Sequence, residues 1–113
     1  MKLENLFAAL PASQDREHIL PVLEDSGIRI ERIISNGHPS PPDFWYDQES
    51  AEWVALLCGS ATLKFADDRE VALKAGDWLL IERHARHRVE AVSQDAVWLA
   101  VYYDETAPRG NGG

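Results

Sequence analysis

Hydrophobic and polar residues alternate in short segments along most of the chain. From Gly27 onward, β-branched and aromatic residues gather in short runs, and turn-forming residues separate these runs at intervals of roughly 8 to 12 residues. This spacing is typical of a β-sandwich or barrel, because no helical pattern lies between the runs. The pattern predicts eight strands: Ile28–Ser35, Phe44–Asp47, Glu52–Cys58, Ala61–Phe65, Glu70–Leu73, Trp78–Ile81, His87–Val92 and Val97–Tyr103.

The beginning of the chain has a different pattern. Apolar residues recur at helical spacing between Leu3 and Leu10, and a second apolar group follows at residues 19 to 23. Proline interrupts both groups and keeps each helical piece short. The sequence therefore predicts a short helical segment over residues 1–26 that packs on a barrel of residues 27–104. The remaining residues, 105–113, are predicted to form a flexible tail.

Composition limits the partners and the location of the protein. A chain of 113 residues is long enough for one hydrophobic core. Its net charge of −8 repels phosphate backbones and anionic lipids, so neither nucleic acid nor a membrane is an expected partner. No apolar run approaches the roughly 20 residues of a membrane-spanning helix. The single cysteine, Cys58, excludes an internal disulfide and favours a reducing, cytoplasmic compartment.

Two polar residues are predicted to point into the barrel. Side chains alternate between the two faces of a strand, so His87 shares a face with Val89 and lies opposite Arg88. By the same rule, Glu52 shares a face with Val54. A carboxylate inside a barrel is costly to bury unless a cation, a hydrogen-bond donor or a metal accompanies it. The partner of Glu52 is therefore the central question about this sequence.

The spacing around these residues resembles the two motifs of the cupin superfamily. The first motif covers Trp45 to Gly59, with Glu52 at the family's glutamate, and the second runs from Gly76 to His87, a metal-binding histidine in the family. The resemblance extends over about residues 27 to 104. It implies an all-β, double-stranded β-helix of the jelly-roll kind, in a group of small stand-alone cupins without a firmly assigned activity.

The first motif departs from the family pattern where its two histidines are expected. Trp45 and Asp47 occupy those positions, and Glu82 and His84 stand where the family usually has proline and glycine. The resemblance then implies a divalent metal site, for iron, manganese, nickel or zinc, with Asp47, Glu52 and His87 as ligands.

Other residues are candidates for the surroundings of that site. Trp45 is expected to face the cavity, with Trp53 as a further wall of the pocket. His84 lies just before the strand that begins at His87. Three interpretations of His84 are open: a fourth metal ligand, a proton carrier at the mouth of the barrel and hence a candidate catalytic residue, or a surface residue. Each of these residues also has a purely structural interpretation. His87 is then a core histidine hydrogen-bonded to Glu52, and the tryptophans fill the core.

Three functions follow from these observations. The first is a metal-containing cupin that binds or transforms a small polar molecule; by resemblance, its reaction would be of a dioxygenase, isomerase or lyase type. The second is a non-catalytic module that binds or senses a small molecule without metal, which the loss of the two histidines favours. The third is a structural domain that forms a homodimer.

Overall fold

The computed structural model describes residues 1–8 and 16–104, and these residues contain eight strands and no helix. The strands are β1 (His18–Asp25), β2 (Ile28–Ile34), β3 (Ala51–Cys58), β4 (Ser60–Phe65), β5 (Glu70–Lys74), β6 (Trp78–Ile81), β7 (His87–Val92) and β8 (Val97–Tyr103). The predicted all-β jelly-roll class is confirmed.

The strands form two antiparallel sheets that enclose the core. One sheet has the order β1-β2-β8-β3-β6, and the other has the order β5-β4-β7. Both sheets contribute to the buried cluster, Leu56 and Trp98 from the larger sheet and Leu63 and Phe65 from the smaller one. Since the chain crosses between the sheets after β3, β5, β6 and β7, residues distant in sequence meet inside the barrel.

The prediction of a helix is wrong for residues 18–25, which form the edge strand β1. This strand pairs with β2 from His18 to Asp25, with an irregularity of register after Pro21. Proline is tolerated at the edge of a sheet, where its missing N–H costs no ladder bond. All eight residues of β1 are exposed, so the apolar spacing that suggested a helix describes an edge strand with open faces. Residues 9–15 and the predicted flexible tail at 105–113 lie outside the described residues.

The predicted strand at Phe44–Asp47 is reduced to one β-bridge. Tyr46 and His87 exchange two backbone hydrogen bonds, of 2.7 and 3.1 Å. The prolines at 39, 41 and 42 remove backbone donors from this stretch, which limits ladder formation. The bridge nevertheless fixes the first motif beside the strand that carries His87.

A tight turn at Gly59 joins the two sheets. Gly59 has a φ of +87°, and a Cβ at this position would collide with Ser93 and approach the Cα of Ala96 to 2.8 Å. Only glycine satisfies both conditions. The turn allows β3, which carries Glu52, to continue directly into β4 of the other sheet.

Candidate functional site: a small cavity between the two sheets

A cavity of about 80 Å³ lies between the sheets. Its walls are mostly apolar, and a few polar groups converge on it. The lining residues are Glu17, Ile19, Ile33, Tyr46, Gln48, Glu52, Val54, Leu63, Ile81, His87, Val89, Trp98 and Tyr102. An apolar cavity with few convergent polar groups is the usual form of a small-molecule site.

The two sheets bring Glu52 and His87 together across this cavity. Glu52 lies on β3 of the larger sheet and His87 begins β7 of the smaller one, and they are only 5% and 4% exposed. The Glu52 Oε1 and His87 Nε2 atoms are 3.7 Å apart. This distance exceeds that of a hydrogen bond, so both groups can bind a third partner.

The backbone determines which nitrogen of His87 faces the cavity. The Nδ1 atom lies 2.8 Å from the carbonyl oxygen of Ala85, to which it donates. Nε2 therefore carries the lone pair of the neutral ring and points toward Glu52. Burial lowers the pKa of His87, although the Ala85 carbonyl acts in the opposite direction, so the neutral imidazole is favoured.

Glu52 is held near the midpoint of its titration at neutral pH. Burial raises its pKa to about 7, and the nearby Glu31 carboxylate adds to this rise. Arg29 and the Tyr102 hydroxyl act in the opposite direction without cancelling it. A carboxyl group in this state can donate or accept a proton.

Tyr46 and Gln48 line the cavity at the positions where we expected Trp45 and Asp47 to face it. The Tyr46 ring stacks on His87 with a centroid distance of 5.3 Å. Burial, followed by the charges of Glu17 and Glu52, raises the pKa of Tyr46 to about 12, so its hydroxyl keeps its proton. The sequence did contain this signal. Tyr46 and Gln48 precede Glu52 by even numbers of positions, so strand alternation carried back from Glu52 places all three side chains on the same face.

Trp45 and Asp47 point away from the cavity, contrary to the sequence-based expectation. The guanidinium groups of Arg86 and Arg88 lie 5.7 and 6.0 Å from the centre of the Trp45 ring. Asp47 contacts His84 at 2.7 Å in a pair whose side chains are both about half exposed. A one-residue error in register moves every side chain to the other face, which explains both errors.

Trp53 also lies outside the cavity. It occupies the outer face of the larger sheet, where its ring centre is 5.8 Å from that of Trp78. Its neighbours Glu52 and Val54 both face inward. Trp53 had been expected as a pocket wall because both faces of β3 are apolar, and only the sheet pairing distinguishes them.

His84 lies in an outer cleft of about 590 Å³ near the end of the barrel. It has a φ of +61°, in the left-handed region that favours glycine. A 2.7 Å backbone hydrogen bond from His84 to the Gln48 carbonyl stabilises this conformation. Tyr102 lines both the cleft and the cavity and is the wall between them.

The three predicted metal ligands do not lie together. Glu52 and His87 share the cavity, but Asp47 is paired with His84 outside it. Across residues 1–8 and 16–104, no three histidine, cysteine, aspartate or glutamate side chains are grouped to hold a metal ion. The cavity therefore offers two strong ligands, with Gln48 as a further oxygen donor.

Comparison with known proteins identifies the family. Residues 32–102 match the family model described as a cupin domain. The chain belongs to the cupin family. No curated protein matches the chain significantly. Among its described residues, no helix has the length and apolar character needed to cross a membrane.

Solved structures agree with this assignment. A protein of Ralstonia eutropha JMP134, provisionally described as a mannose-6-phosphate isomerase, is 45% identical; the match covers 92% of this cupin and 99% of that chain, with a TM-score of 0.87. An RmlC-like cupin of Desulfovibrio desulfuricans is 20% identical over 91% and 96% of the two chains, with a TM-score of 0.75. A cupin superfamily protein of Desulfitobacterium hafniense DCB-2 is 16% identical over 93% and 94%, with a TM-score of 0.76. The latter two similarities concern the fold alone.

Proposed function

We propose that this cupin binds a small organic molecule in the cavity between Glu52 and His87, without a resident metal. The observation that carries the proposal is the 3.7 Å separation of the two groups in a buried, mostly apolar site. Neither group completes a hydrogen bond with the other at that distance. A ligand placed between them would satisfy both and replace the hydration that burial removes.

The chemistry of the two groups defines what the ligand must offer. The His87 Nε2 atom accepts a hydrogen bond, since Nδ1 already donates to Ala85. Glu52 accepts in its ionised form and also donates in its protonated form. Tyr46 and Tyr102 border the same space with rings and hydroxyl groups. A ligand with one polar head and a short apolar body fits this arrangement.

A divalent metal is the second candidate, and the orientation of His87 favours it. Ligating histidines usually donate their other ring N–H to a carbonyl or carboxylate, as His87 does to Ala85. Glu52 and His87 would be its ligands, with Gln48 as an oxygen donor, and iron, manganese, nickel or zinc would supply Lewis-acid chemistry. We rank this candidate second because, among the described residues, no third histidine, cysteine, aspartate or glutamate is grouped closely enough with Glu52 and His87 to hold a metal ion.

The provisional activity of the Ralstonia protein is not the one that we propose here. A sugar phosphate carries a dianionic group, which binding sites usually meet with arginine, lysine or backbone N–H groups. No lysine or arginine is among the described residues that line the cavity. A volume of about 80 Å³ is also well below the several hundred Å³ typical of sites for larger ligands.

A fragment screen monitored by thermal shift and by protein NMR tests the proposal. We expect bound fragments to raise Tm in the wild type and to lose this effect in Glu52→Gln and His87→Ala. The matched controls Asp47→Asn and His84→Ala alter the exposed pair and should bind normally. If every fragment that binds the wild type also binds both cavity variants equally well, the site lies elsewhere.

Elemental analysis of protein purified without an affinity tag separates the two candidates. After exposure to Fe(II), Mn(II), Ni(II) and Zn(II) and dialysis, we expect much less than one equivalent of metal. About one equivalent in the wild type that disappears in His87→Ala would establish the metal candidate instead.

We also propose that the outer face of the larger sheet forms a homodimer. Trp78 and Leu80 are 61% and 51% exposed, and Ile28 and Leu20 on the same face are 44% and 39% exposed. Extended apolar surfaces of this kind usually mark association sites. Sedimentation equilibrium should give a dimer for the wild type and a monomer for Trp78→Lys. A wild-type protein that stays monomeric when its concentration is raised 100-fold would contradict this proposal.

A further inference from the structure

We propose that the ligand selected by this cavity is a small organic cation, a protonated alkylamine, in preference to an alcohol or a carboxylate of the same shape. This inference rests on the proposed function of the cavity as a ligand site. The argument uses the balance of charge, the aromatic walls and the size of the space.

The charged groups that face the cavity are predominantly acidic. Glu17 and Glu52 line it, one from the segment before β1 and the other from β3. No lysine or arginine is among the described residues that line this space. Two carboxyl groups therefore face one mostly apolar space, and a cation there would complement them.

The nearest cation does not neutralise this charge within the cavity. The Arg29 Nε atom is 3.0 Å from Glu31 Oε2, and the guanidinium carbon lies 4.3 Å from the centre of the Tyr102 ring. Arg29 lines the outer cleft on the far side of Tyr102 rather than the cavity itself. It therefore forms its ion pair with Glu31, and no lysine or arginine of the described residues forms an ion pair with Glu17 or Glu52.

His87 does not supply a positive charge either. Its Nδ1 donates to the Ala85 carbonyl oxygen at 2.8 Å, which leaves the Nε2 lone pair for the cavity. This lone pair can accept a hydrogen bond from an ammonium N–H. The Glu52 carboxylate, whose Oε1 atom is 3.7 Å from Nε2, can accept a second one. An ammonium group can donate to both at once because it carries several N–H donors and no acceptor. At this point a carboxylate ligand would face the His87 lone pair and an ionised Glu52, both of which are acceptors.

The aromatic walls suit the same ligand. Tyr46, Trp98 and Tyr102 line the cavity. The Trp98 indole N–H already donates to Ser35 Oγ at 2.9 Å, so what remains of that side chain for a ligand is the ring itself. Aromatic rings attract cations through their quadrupole, and Tyr102 already receives Arg29 on its ring.

The volume limits the ligand to a small body. About 80 Å³ is roughly half of the 150 Å³ cavity that accommodates benzene, so only a few non-hydrogen atoms fit. Ile33, Leu63 and Val89 provide apolar contacts for an alkyl group. A branched four-carbon amine, or the amine head of a longer molecule, meets these conditions.

A matched set of three compounds tests the inference. Isobutylamine, isobutanol and isobutyrate have similar shapes and differ in charge at neutral pH. Binding to the full chain would be measured by NMR titration and calorimetry at low ionic strength. We expect isobutylamine to bind about tenfold more tightly than isobutanol, and isobutyrate not to bind.

Charge-neutralising variants assign the preference to the cavity. Glu52→Gln and Glu17→Gln should each weaken isobutylamine binding about fivefold to tenfold and leave isobutanol binding nearly unchanged. Glu70→Gln removes the same charge from an exposed position on β5 and is the control. A loss of binding in the control as large as in the cavity variants would overturn the inference, because it would indicate a general effect of net charge.

The other outcomes distinguish this inference from the proposed function. If isobutanol or isobutyrate binds as tightly as isobutylamine, the preference for a cation is wrong while the cavity remains a ligand site. If none of the three binds, the amine inference fails. If the fragment screen also yields no ligand that responds to Glu52→Gln and His87→Ala, the proposed function fails with it.

Discussion

This cupin contains two pairs of a carboxylate and an imidazole, and they differ in almost every physical respect. In Glu52–His87 the two groups are 3.7 Å apart, with side chains 7% and 6% exposed. In Asp47–His84 they are closer, at 2.7 Å, but the side chains are 50% and 54% exposed. The closer pair is the one that solvent screens.

The difference shows that burial, rather than contact distance, gives the inner pair its chemical character. Water around Asp47 and His84 screens the interaction between them, so each side chain gains little stability from the other. Glu52 and His87 have lost that water, and the loss shifts the pKa of Glu52 upward and that of His87 downward. Both shifts favour the neutral forms, which makes the buried pair a proton donor and acceptor near neutral pH.

The largest expected effect is on stability at alkaline pH. The pKa of Glu52 rises from 4.5 to about 7 on folding, so ionisation above pH 7 costs the folded state about 2 to 3 kcal/mol. This carboxyl group supports the fold fully below pH 4.5, and its contribution is lost as the pH rises through 7. Glu52→Gln should therefore raise the free energy of unfolding at pH 8, measured by urea denaturation, and not at pH 4.

The exposed carboxylate provides the control for Glu52→Gln. Asp47→Asn should change the free energy of unfolding by less than about 0.5 kcal/mol at either pH. Equal effects of the two substitutions at pH 8 would show that burial does not distinguish the pairs.

A second effect concerns the backbone of the exposed pair. His84 adopts a φ of +61°, which β-branched residues strongly disfavour. His84→Val should therefore cost about 1 to 2 kcal/mol, whereas His84→Gly should stay within about 0.5 kcal/mol of the wild type. Thermal unfolding measures both variants. Equal destabilisation by valine and glycine would assign the cost to the lost imidazole rather than to the backbone.

A smaller effect is expected on the acidic side, from His87. Because the pKa of His87 is lowered in the folded protein, the unfolded chain binds a proton at a higher pH than the folded protein as the solution is acidified. The contribution of His87 to stability should accordingly fall as the pH drops below about 6.5, the ordinary value for histidine, and it opposes the larger Glu52 effect. His87→Gln should remove this opposition and make Tm rise more steeply as the pH falls from 7, and His84→Gln is the control at the exposed histidine. A profile that stays the same in His87→Gln would show that the histidine is already solvated.

The smallest effect is the coupling within the exposed pair. A double-mutant cycle with Asp47→Asn and His84→Gln should give an interaction energy of about 0.5 kcal/mol or less. A coupling energy above 1 kcal/mol at moderate salt would contradict the conclusion that solvent screens the interaction between Asp47 and His84.

Local alternation was sufficient to predict most strands and the inward direction of Glu52 and His87. The strands around Trp78 and Val97 follow the predicted bounds because each is an unbroken apolar run with turn-forming residues before it. The same rule failed at residues 45 to 48, where prolines precede the segment and a bend at residues 49 and 50 separates it from β3. Because no continuous strand links this segment to β3, the first motif assigned Trp45 and Asp47 to the inner face. The residues that face the cavity, Tyr46 and Gln48, each lie one position later and were missed.

The edge strand β1 shows the other limit of sequence reasoning. Apolar residues at positions 19, 20, 22 and 23 fit both a helix and a strand with two open faces. The pairing with β2 decided between them, and that partner is not visible in a local pattern.

The sequence by itself determined the fold class, the glycine turn at Gly59 and the identity of the buried acid and imidazole, because these depend on local periodicity and on backbone conformation. The tertiary structure decided which carboxylate meets which histidine. That choice depends on the register and packing of two sheets, which place Glu52 3.7 Å from His87 across the cavity and Asp47 outside it. Burial, a property of the whole fold, then raised the pKa of Glu52 and lowered that of His87, which distinguishes the inner pair from the exposed one.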